Sequence, residues 1–474
     1  MYFSFKFIFY VIFLISPILG YDPPARIHHN SVIINNQLLI FAGWKNQSSS
    51  NIVTDKLIYL DLLKPFEITN LSWTLIPDGN LPIYTWFSTA IVGLNNSTIF
   101  QIGGYIVNKD TLNYDFSNQV HKYDYNASKW TIPSITGDSI PPRQQIKGVI
   151  DNSGIIYIFG GVNTTNLVTS IGTMNNDMNT FDTSSMAWKT LNLSNLPLPC
   201  NGYSASLLPN GIIVYIGGQE IATDGTSSNV PVNSKGRIYA IGPLTQVKKD
   251  EIVLPLVNMK SIKCFDTKKL EWSYMNATGD DIDSRFQFSS VLTSNGHIII
   301  FGGIKRDYTS VSPNLAILDT NKSPYHWSIP NISKFNSPPS IYGHSANLYF
   351  DYMIITFGYS LDDQAYNSQV YLYNITGIKW VTTFSPFVTS TSTNTSTNTG
   401  TTQPSSTQDT TQPSSTQDTT QPRPQKNSSK TLAIGLGTGI SLVIVIFAAI
   451  FIFISRKKAK TRVLKISGSN DPSN

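Results

Sequence analysis

Residues 297–303 read HIIIFGG, a strand-forming run that ends in two glycines. A second short apolar run, AILD at 316–319, follows and ends in an acid, and Trp327 comes eight residues after that acid. Another apolar run, at 289–292, lies upstream. Short runs of this kind, separated by turn residues and without helical periodicity, predict a unit of four β-strands.

The same unit recurs six times between residues 26 and 385. The run that includes the apolar strand and the small-residue pair ends at Gly43, Gly104, Gly161, Gly218, Gly303 and Tyr359. Its acid or amide is Asp61, Asp124, Asp182, Asp266, Asp319 and Asn374. Its tryptophan is Trp73, Trp130, Trp188, Trp272, Trp327 and Trp380. One such sheet cannot bury both of its faces alone, so the repeats predict radial stacking into a β-propeller.

Each repeat contains a hydrophobic strand, a glycine pair, a Tyr-Asp-like pair and a tryptophan, in this order. This order resembles the kelch repeat of galactose oxidase and kelch-type propellers. The resemblance covers about residues 26–385 and implies an all-β, six-bladed kelch β-propeller. It implies glycines that allow close backbone approach and tryptophans that wedge between blades. Ala42 replaces the first glycine of repeat one, and Tyr359 replaces the second glycine of repeat six.

Two further features concern how the repeats begin. Repeat four has Cys200 at the position that Arg143 and Arg285 occupy at the start of repeats three and five. All six repeats start in the same phase, so no exchanged strand is expected to close the ring.

The composition divides the chain into five segments. A charged and apolar leader precedes the repeats, and a Ser/Thr/Pro-rich tract, an apolar tract and a basic end follow them. The predicted segments are a signal peptide at 1–20, an extracellular propeller at 21–387, a disordered and O-glycosylated stalk at 388–430, a transmembrane helix at 431–454 and a cytoplasmic tail at 455–474.

The apolar tract 432–454 carries no charge and is long enough to cross a bilayer. Six basic residues follow it, which predicts a single-pass type I protein of the plasma membrane with its N-terminal domain outside. Gly435 and Gly439 form a small-xxx-small pair, which predicts a homodimer through this helix as one alternative.

The net charge of the chain is +5, but the basic tail supplies it. The propeller itself is therefore nearly neutral, and its charge gives no indication of nucleic-acid binding.

No catalytic, cofactor-binding or metal-ligating residue is predicted. The chain has six histidines, and the one pair on a single element is His28 and His29, whose side chains would point to opposite faces of a strand. The other four are His121, His297, His326 and His344. Cys200 and Cys264 leave a disulfide and two buried thiols equally open. A galactose-oxidase-like copper oxidase is an alternative that the fold permits, although no copper ligand matches by motif.

Function is predicted to be non-enzymatic binding of an extracellular protein or carbohydrate through propeller loops, with an adhesion or cell-wall-contact role as the alternative. The insertion 219–260, between the second and third strands of repeat four, is either a binding loop or a functionless addition. Glycosylation sequons fit a secreted surface. Their asparagines are Asn46, Asn70, Asn95, Asn96, Asn126, Asn163, Asn192, Asn276, Asn321, Asn331, Asn374, Asn394 and Asn427.

Overall fold

The computed structural model describes residues 20–45, 54–166, 171–221, 231–232 and 254–386. All regular elements in these ranges are β-strands. No helix in these ranges is long and apolar enough to cross a membrane. Nearly all of the predicted signal peptide, the stalk 388–430, the helix 431–454 with Gly435 and Gly439, and the tail 455–474 lie outside the described residues.

Six sheets, or blades, follow one another along the chain, and each contains four antiparallel strands in chain order. The strands of blade 1 are Asn30–Ile34, Gln37–Phe41, Ile58–Asp61 and Thr74–Leu75. Those of blade 2 are Thr89–Val92, Thr98–Ile102, Val120–Asp124 and Lys129–Thr131. Those of blade 3 are Val149–Ile150, Ile155–Phe159, Met178–Asp182 and Ala187–Thr190, with Thr136–Gly137 added in parallel at its outer edge.

Blades 4 to 6 repeat this order. The strands of blade 4 are Ser204–Leu207, Ile212–Ile216, Ser261–Asp266 and Glu271–Asn276. Those of blade 5 are Ser289–Leu292, His297–Phe301, Leu315–Asp319 and His326–Ser328, with Thr278–Gly279 in parallel at the outer edge. Those of blade 6 are Ser345–Tyr349, Tyr352–Ser360, Ala365–Asn374 and Lys379–Val381. The all-β, six-bladed propeller is thus confirmed.

The six largest hydrophobic clusters of the described residues lie between neighbouring blades, one at each seam. Each part contains the repeat tryptophan of the later blade, which packs toward the second strand of the blade before it. Trp272 lies 4.7 Å from Phe159, and Trp380 lies 5.2 Å from Phe301, between ring centroids. The predicted wedging of tryptophans between blades is confirmed, and burial of apolar surface at these seams holds the disc together.

The repeat acids cap the turns between the third and outer strands. In blade 3, Asp182 accepts hydrogen bonds from the backbone N–H and the hydroxyl of Ser184 and from both groups of Ser185. Asn374 of blade 6 accepts a bond from the N–H of Gly377 in the same way, so the amide replaces the acid without changing the turn. This pattern is the Asx-turn that Asp and Asn side chains favour.

The glycine pairs lie where one blade meets the backbone of the next. A Cβ on Gly160 would lie only 2.5 Å from the carbonyl oxygen of Cys200, and Gly160 has a φ of +59°. The N–H of Gly161 donates to that same carbonyl at 2.9 Å. The expected close approach is confirmed, because only glycine fits this backbone without a clash or a strained φ.

The alignment of repeat six was wrong by one residue. In the other five blades the first position of the pair has a φ near +60° and the second a φ near +90°. Phe357 has a φ of 57° and Gly358 a φ of 113°, so they, and not Gly358 and Tyr359, are the equivalent pair. Thr356 pairs with Ser345 and Val370 as Phe301 of blade 5 pairs with Ser289 and Leu315, so Phe357 occupies the position of the first glycine.

Blades 6 and 1 close the ring without exchanging a strand within either four-stranded sheet, as expected. Thr383–Phe384, which follows the last strand of blade 6, pairs with Phe66–Glu67 of blade 1. The rings of Phe66 and Phe384 stack at 4.6 Å. At the start of the repeats, the N–H of Tyr21 donates to the carbonyl of Trp73 at 2.9 Å. Both ends of the described chain are therefore fastened to blade 1.

Cys200 and Cys264 are two free, buried thiols. Cys200 belongs to the core between blades 3 and 4, whereas Cys264 belongs to the core between blades 4 and 5. The two side chains thus lie on opposite faces of blade 4. Burial raises the pKa of each thiol to about 11, so both are unreactive at neutral pH.

Candidate functional site at the long-loop face

The two ends of the propeller differ in the connections they carry. Turns from the first to the second strand and from the third to the outer strand share one end, here called the short-loop face. Connections from the second to the third strand and from one blade to the next share the other end, the long-loop face. The glycine pairs lie at the long-loop face, because each follows a second strand.

A circle of six backbone hydrogen bonds surrounds the axis at the long-loop face. One residue at the entry to each blade donates its N–H to the carbonyl of its counterpart in the preceding blade, at 2.7–3.3 Å. All six have a left-handed backbone with φ between 54° and 64°. They are His28, Phe87, Gln145, Gly202, Gln287 and Gly343.

A collar of short antiparallel pairings rises around this circle, one per blade. In each, the segment entering a blade pairs with the segment that follows the glycine position of that blade. The pairings are Arg26–Ile27 with Trp44–Lys45, Ile83–Trp86 with Tyr105–Asn108, Gln144 with Val162, Cys200–Asn201 with Gln219–Glu220, Phe286 with Ile304, and Ile341–Tyr342 with the end of Tyr352–Ser360. The collar therefore presents six different loops from one rigid base.

One side of the collar is aromatic. Trp86 lies 5.0 Å from Trp44 and 5.2 Å from Tyr105, and Tyr114 lies 6.2 Å from Trp86. Tyr114 is 39% exposed at the edge of this cluster. On the side of blade 6, Tyr359 contacts Tyr342 and Tyr366, each at 5.4 Å. Trp44, Trp86 and Tyr105 are themselves buried and form a hydrophobic cluster under the loops, so Tyr114 is the member that this cluster presents to solvent.

The opposite side of the collar is built by blades 3 and 4. Val162–Asn166, Ile171–Met174 and Pro231–Val232 form a three-stranded sheet there. Pro231–Val232 belongs to the insertion 219–260, so the insertion of blade 4 reaches the loop of blade 3 at the long-loop face. Residues 222–230 and 233–253 of the insertion lie outside the described residues.

A central cavity of about 150 Å³ lies inside the circle, and all six blades contribute to its wall. The wall is formed by the circle residues and by residues at or just before the start of the inner strands, including Asn30, Ser88, Lys147, Ser289 and Ser345. No Asp or Glu is among its lining residues. The cavity is polar and nearly neutral, and Lys147 carries its one full charge.

Burial keeps the histidines of this region uncharged. Desolvation lowers the pKa of His28 and of His344 to about 3. It also lowers the pKa of His29 well below its usual value, and the charge of Arg26 adds to this effect. Nε2 of His29 lies 2.8 Å from the Ser345 hydroxyl.

Buried arginines anchor the collar to three alternate blades. Arg26, Arg143 and Arg285 donate to the carbonyls of Ala42, Gly160 and Gly302, the first positions of the glycine pairs of blades 1, 3 and 5. Arg143 also forms a bidentate ion pair with Asp177, with both N···O distances at 2.7 Å. Burial alone would raise the pKa of Asp177, but the hydrogen bonds and charge of Arg143 outweigh it and lower that pKa.

Sequence reasoning predicted loop recognition at this face and assigned no binding residue in the cavity, although three of the histidines that it considered, His28, His29 and His344, line the wall. The described part of the chain contains no group of three or more His, Cys, Asp or Glu side chains arranged to hold a metal ion. The expectation of a non-enzymatic protein stays a prediction.

Comparison with known proteins agrees with this architecture. The profile of the KLHDC2/KLHL20/DRC7 Kelch-repeats domain matches residues 14–219 and 232–411. The chain belongs to the kelch-repeat family. Such propellers are in general protein-interaction domains.

Individual kelch relatives are distant. Kelch domain-containing protein 3 of Rattus norvegicus is 23% identical over 291 residues, which cover 59% of this chain and 64% of the relative. Kelch domain-containing protein 10 of Rattus norvegicus is 26% identical over 199 residues, which cover 41% of this chain and 45% of the relative. The chain thus spans less than two thirds of the length of these curated relatives.

Among solved structures, this kelch propeller is similar to that titled "Structure of YjhT". The TM-score is 0.52 at 13% identity, over 77% of this chain and 99% of the other. At this identity the similarity concerns the fold alone.

Proposed function

We propose that this chain is a single-pass cell-surface kelch protein that binds an extracellular protein or carbohydrate at its long-loop face, without catalysis. The observation that carries the proposal is the joint position of the central cavity and the collar. Six different loops surround one polar cavity on a base held by inter-blade hydrogen bonds. Loops on a rigid scaffold are the usual location of recognition.

The path of the chain end supports this choice of face. Phe384 packs against Tyr349 and Tyr352, which flank a turn of the short-loop face. The hydroxyl of Tyr352 reaches the carbonyl of Ser385. The described chain therefore ends at residue 386 close to the short-loop face, away from the collar.

Glycan acceptor sites support an extracellular setting. Ten sequon asparagines fall within the described residues, and eight of them are exposed. The remaining two, Asn163 and Asn374, are half-buried. Asn46, Asn394 and Asn427 lie outside the described residues. Exposed sequons are what N-glycosylation in the secretory pathway requires.

Localisation is tested by expressing the full chain with an epitope tag after residue 21 and a second tag at its C-terminus. Staining of intact cells for the first tag, with the second detected only after permeabilisation, is the expected result. Staining of neither tag on intact cells would contradict the surface location.

Binding is tested with the same cells on a glycan array and in a cell-adhesion assay. Tyr114→Ala removes an exposed aromatic from the collar, and Phe350→Ala removes one, 71% exposed, from the short-loop face. Tyr114→Ala is expected to weaken binding about tenfold, the usual size of an aromatic contact, and Phe350→Ala to leave it unchanged. A larger loss of binding with Phe350→Ala than with Tyr114→Ala would show that the short-loop face binds the ligand and would contradict the proposal. One bound equivalent of copper together with release of peroxide would contradict a non-catalytic role.

A further inference from the structure

The outer edges of blades 3 and 5 are each covered by a short segment with the same sequence, Thr-Gly-Asp. Thr136–Gly137, followed by Asp138, pairs in parallel with the outer strand of blade 3. Thr278–Gly279, followed by Asp280, does the same on blade 5. The two segments therefore show, within this molecule, what an outer strand of the propeller binds.

The first and third residues of the segment hold it to the strand through three hydrogen bonds. On blade 3, the N–H of Thr136 donates to the carbonyl of Met186 at 3.1 Å. The N–H of Asp138 donates to the carbonyl of Trp188 at 2.9 Å. The carboxylate of Asp138 in turn accepts the N–H of Thr190 at 2.7 Å. The same three bonds recur on blade 5, at 2.8, 3.1 and 2.7 Å.

The second residue of the segment must be glycine. Gly137 has a φ of +83°, and a Cβ on it would overlap the carbonyl oxygen of Trp188. Gly279 is placed in the same way on blade 5. On blade 1 the N–H of Tyr21 donates to the carbonyl of Trp73, so the edges of all three odd-numbered blades are covered at their tryptophan.

Blade 4 has the same edge without the segment. Its outer strand, Glu271–Asn276, lies at the end of the sheet, and no strand among the described residues pairs with its far side. The N–H of Ala277 donates inward to the carbonyl of Lys260. Because alternate residues of an antiparallel ladder point to opposite sides, the N–H and C=O groups of Trp272 and Tyr274 point away from the sheet.

These outward groups match the three that hold the segment on blade 3. Met186 and Thr190 stand two residues before and two residues after the tryptophan of that blade. Their counterparts on blade 4 are Leu270 and Tyr274. Blade 4 therefore offers two carbonyls and one N–H in the order that a Thr-Gly-Asp segment requires.

Two observations distinguish blade 4 from blades 2 and 6, whose outer edges also carry no added strand in the described ranges. Its outer strand has six residues, whereas those of blades 2 and 6 have three each. Trp272 is half-buried, whereas the other five repeat tryptophans are at most 7% exposed. Tyr274 is 58% exposed and Leu270 is 42% exposed beside it. A long, exposed edge of this kind is a template for strand addition.

We propose that the outer edge of blade 4 binds an extended Thr-Gly-Asp segment of another protein, in parallel with Glu271–Asn276. The sequence Thr-Gly-Asp occurs only twice in this chain, and both copies lie on blades 3 and 5, so a second protein must supply it. Its threonine N–H donates to the carbonyl of Leu270 and its aspartate N–H to that of Trp272. The aspartate carboxylate accepts the N–H of Tyr274.

The surface lies on the circumference of the disc, so the inference goes beyond the proposed function and does not depend on it. Failure of strand addition at blade 4 would leave recognition at the long-loop face intact, because Tyr114→Ala tests that face separately.

The probe is a fluorescent synthetic peptide, SITGDSI, which is the sequence of residues 134–140. Binding to the full chain is measured by fluorescence anisotropy, after enzymatic removal of N-glycans because the sequon residue Asn276 ends the strand. Hydrogen–deuterium exchange with mass spectrometry locates the peptide. Exchange is expected to slow in residues 270–276 and not in residues 128–132, the equivalent edge of blade 2. No slowing in 270–276, or equal slowing at both edges, would overturn the assignment to blade 4.

Variants of the peptide test the chemistry of the segment without altering the protein. Gly137→Ala in the peptide is expected to reduce affinity at least tenfold, because the new Cβ meets the Trp272 carbonyl. Asp138→Ala in the peptide should reduce it about tenfold, because the N–H of Tyr274 loses its acceptor. If both variants bind as tightly as the original peptide, the Thr-Gly-Asp assignment is wrong.

Variants of the protein test the edge itself. Tyr274→Pro removes the outward N–H without removing a ladder bond and should reduce peptide affinity about tenfold. Tyr274→Ala keeps that N–H and should retain most of the affinity. Ile132→Pro is the matched control, because Ile132 has the same position relative to Trp130 in blade 2, and it should leave binding unchanged. Undiminished binding by Tyr274→Pro would refute the proposal.

A second copy of this chain is the rival occupant of the same edge. Analytical ultracentrifugation distinguishes it, because the proposal expects Tyr274→Pro to leave the oligomeric state unchanged. A dimer that this variant dissociates would show a contact between copies and would overturn the assignment of the edge to a Thr-Gly-Asp partner.

Discussion

The short-loop face and the long-loop face belong to the same six blades but are held in place differently. On the short-loop face, each Asp or Asn caps a turn of its own blade, so the contacts are local. On the long-loop face, backbone hydrogen bonds run from blade to blade around the axis. We infer that changes at the long-loop face act on the seams of the whole disc, whereas changes at the short-loop face act on single turns.

The largest effect is expected from Asp177→Ala at the long-loop face. Arg143 is buried, and this change leaves its guanidinium without a counter-ion. Breaking a buried ion pair from one side costs about 3 kcal/mol or more. Chemical denaturation of the full chain measures the loss.

Lys64→Ala is the control for that change, because Lys64 pairs with Asp61 on the short-loop face but is largely exposed. An exposed ion pair contributes little, so the free energy of unfolding should not change measurably. Equal losses for the two variants would remove the distinction between the faces.

A somewhat smaller effect is expected from Gly160→Ala. The new Cβ would meet the Cys200 carbonyl, and the φ of +59° is unfavourable for alanine. Together the steric clash and the strained φ should lower the free energy of unfolding by about 2–3 kcal/mol. Gly93→Ala on the short-loop face has no positive φ and meets only side chains, at 3.2 Å or more, so its loss in the same denaturation assay should stay below about 1 kcal/mol. If Gly93→Ala lowered the free energy of unfolding as much as Gly160→Ala, the close approach of the Cys200 carbonyl would not explain why residue 160 is glycine.

The smallest effect is expected from Asp182→Ala, which removes one turn cap of blade 3. The loss should be about 1 kcal/mol, as for other caps of this kind. Hydrogen bonds from the hydroxyl and N–H of Ser184 and then from Ser185 lower the pKa of Asp182 to about 2. A lowered pKa means that the cap stabilises the fold above the unfolded value near 4 and that this stability is lost as the pH falls toward 2.

Denaturation curves at pH 6 and pH 2 check the last prediction. Wild type and Asp182→Ala should differ at pH 6 and converge as the pH approaches 2. A constant difference across this range would show that the carboxylate charge is not what caps the turn.

The fold was predictable because each signature residue has a physical role that recurs in most of the six repeats. Gly160 is required by a close carbonyl, Asp182 by a turn, and Trp272 by a seam between two sheets. Repeat six was misaligned because Phe357 occupies a position that is glycine in four of the other five repeats, so Gly358 was taken as the first residue of the pair. One sequence gives no signal that a phenylalanine adopts the left-handed φ of a glycine.

The candidate site was not predictable residue by residue. The circle residues, such as His28, Phe87 and Gly202, share no side-chain type, because their common task is performed by the N–H and C=O groups. Lys147 belongs to no motif, and only the fold shows that it faces the axis without an acid beside it. The positions of Cys200 and Cys264 were equally hidden, since sequence distance does not reveal the two faces of a blade.

The circle of six backbone hydrogen bonds has a property that an open ladder lacks. A ladder frays from its ends, where the last bond has a neighbour on one side only. In the circle each bond lies between two others, so thermal opening has no preferred starting point. The mouth of the cavity should therefore keep a constant diameter, and a ligand would be selected by size at the rim before it contacts the side chains of the wall.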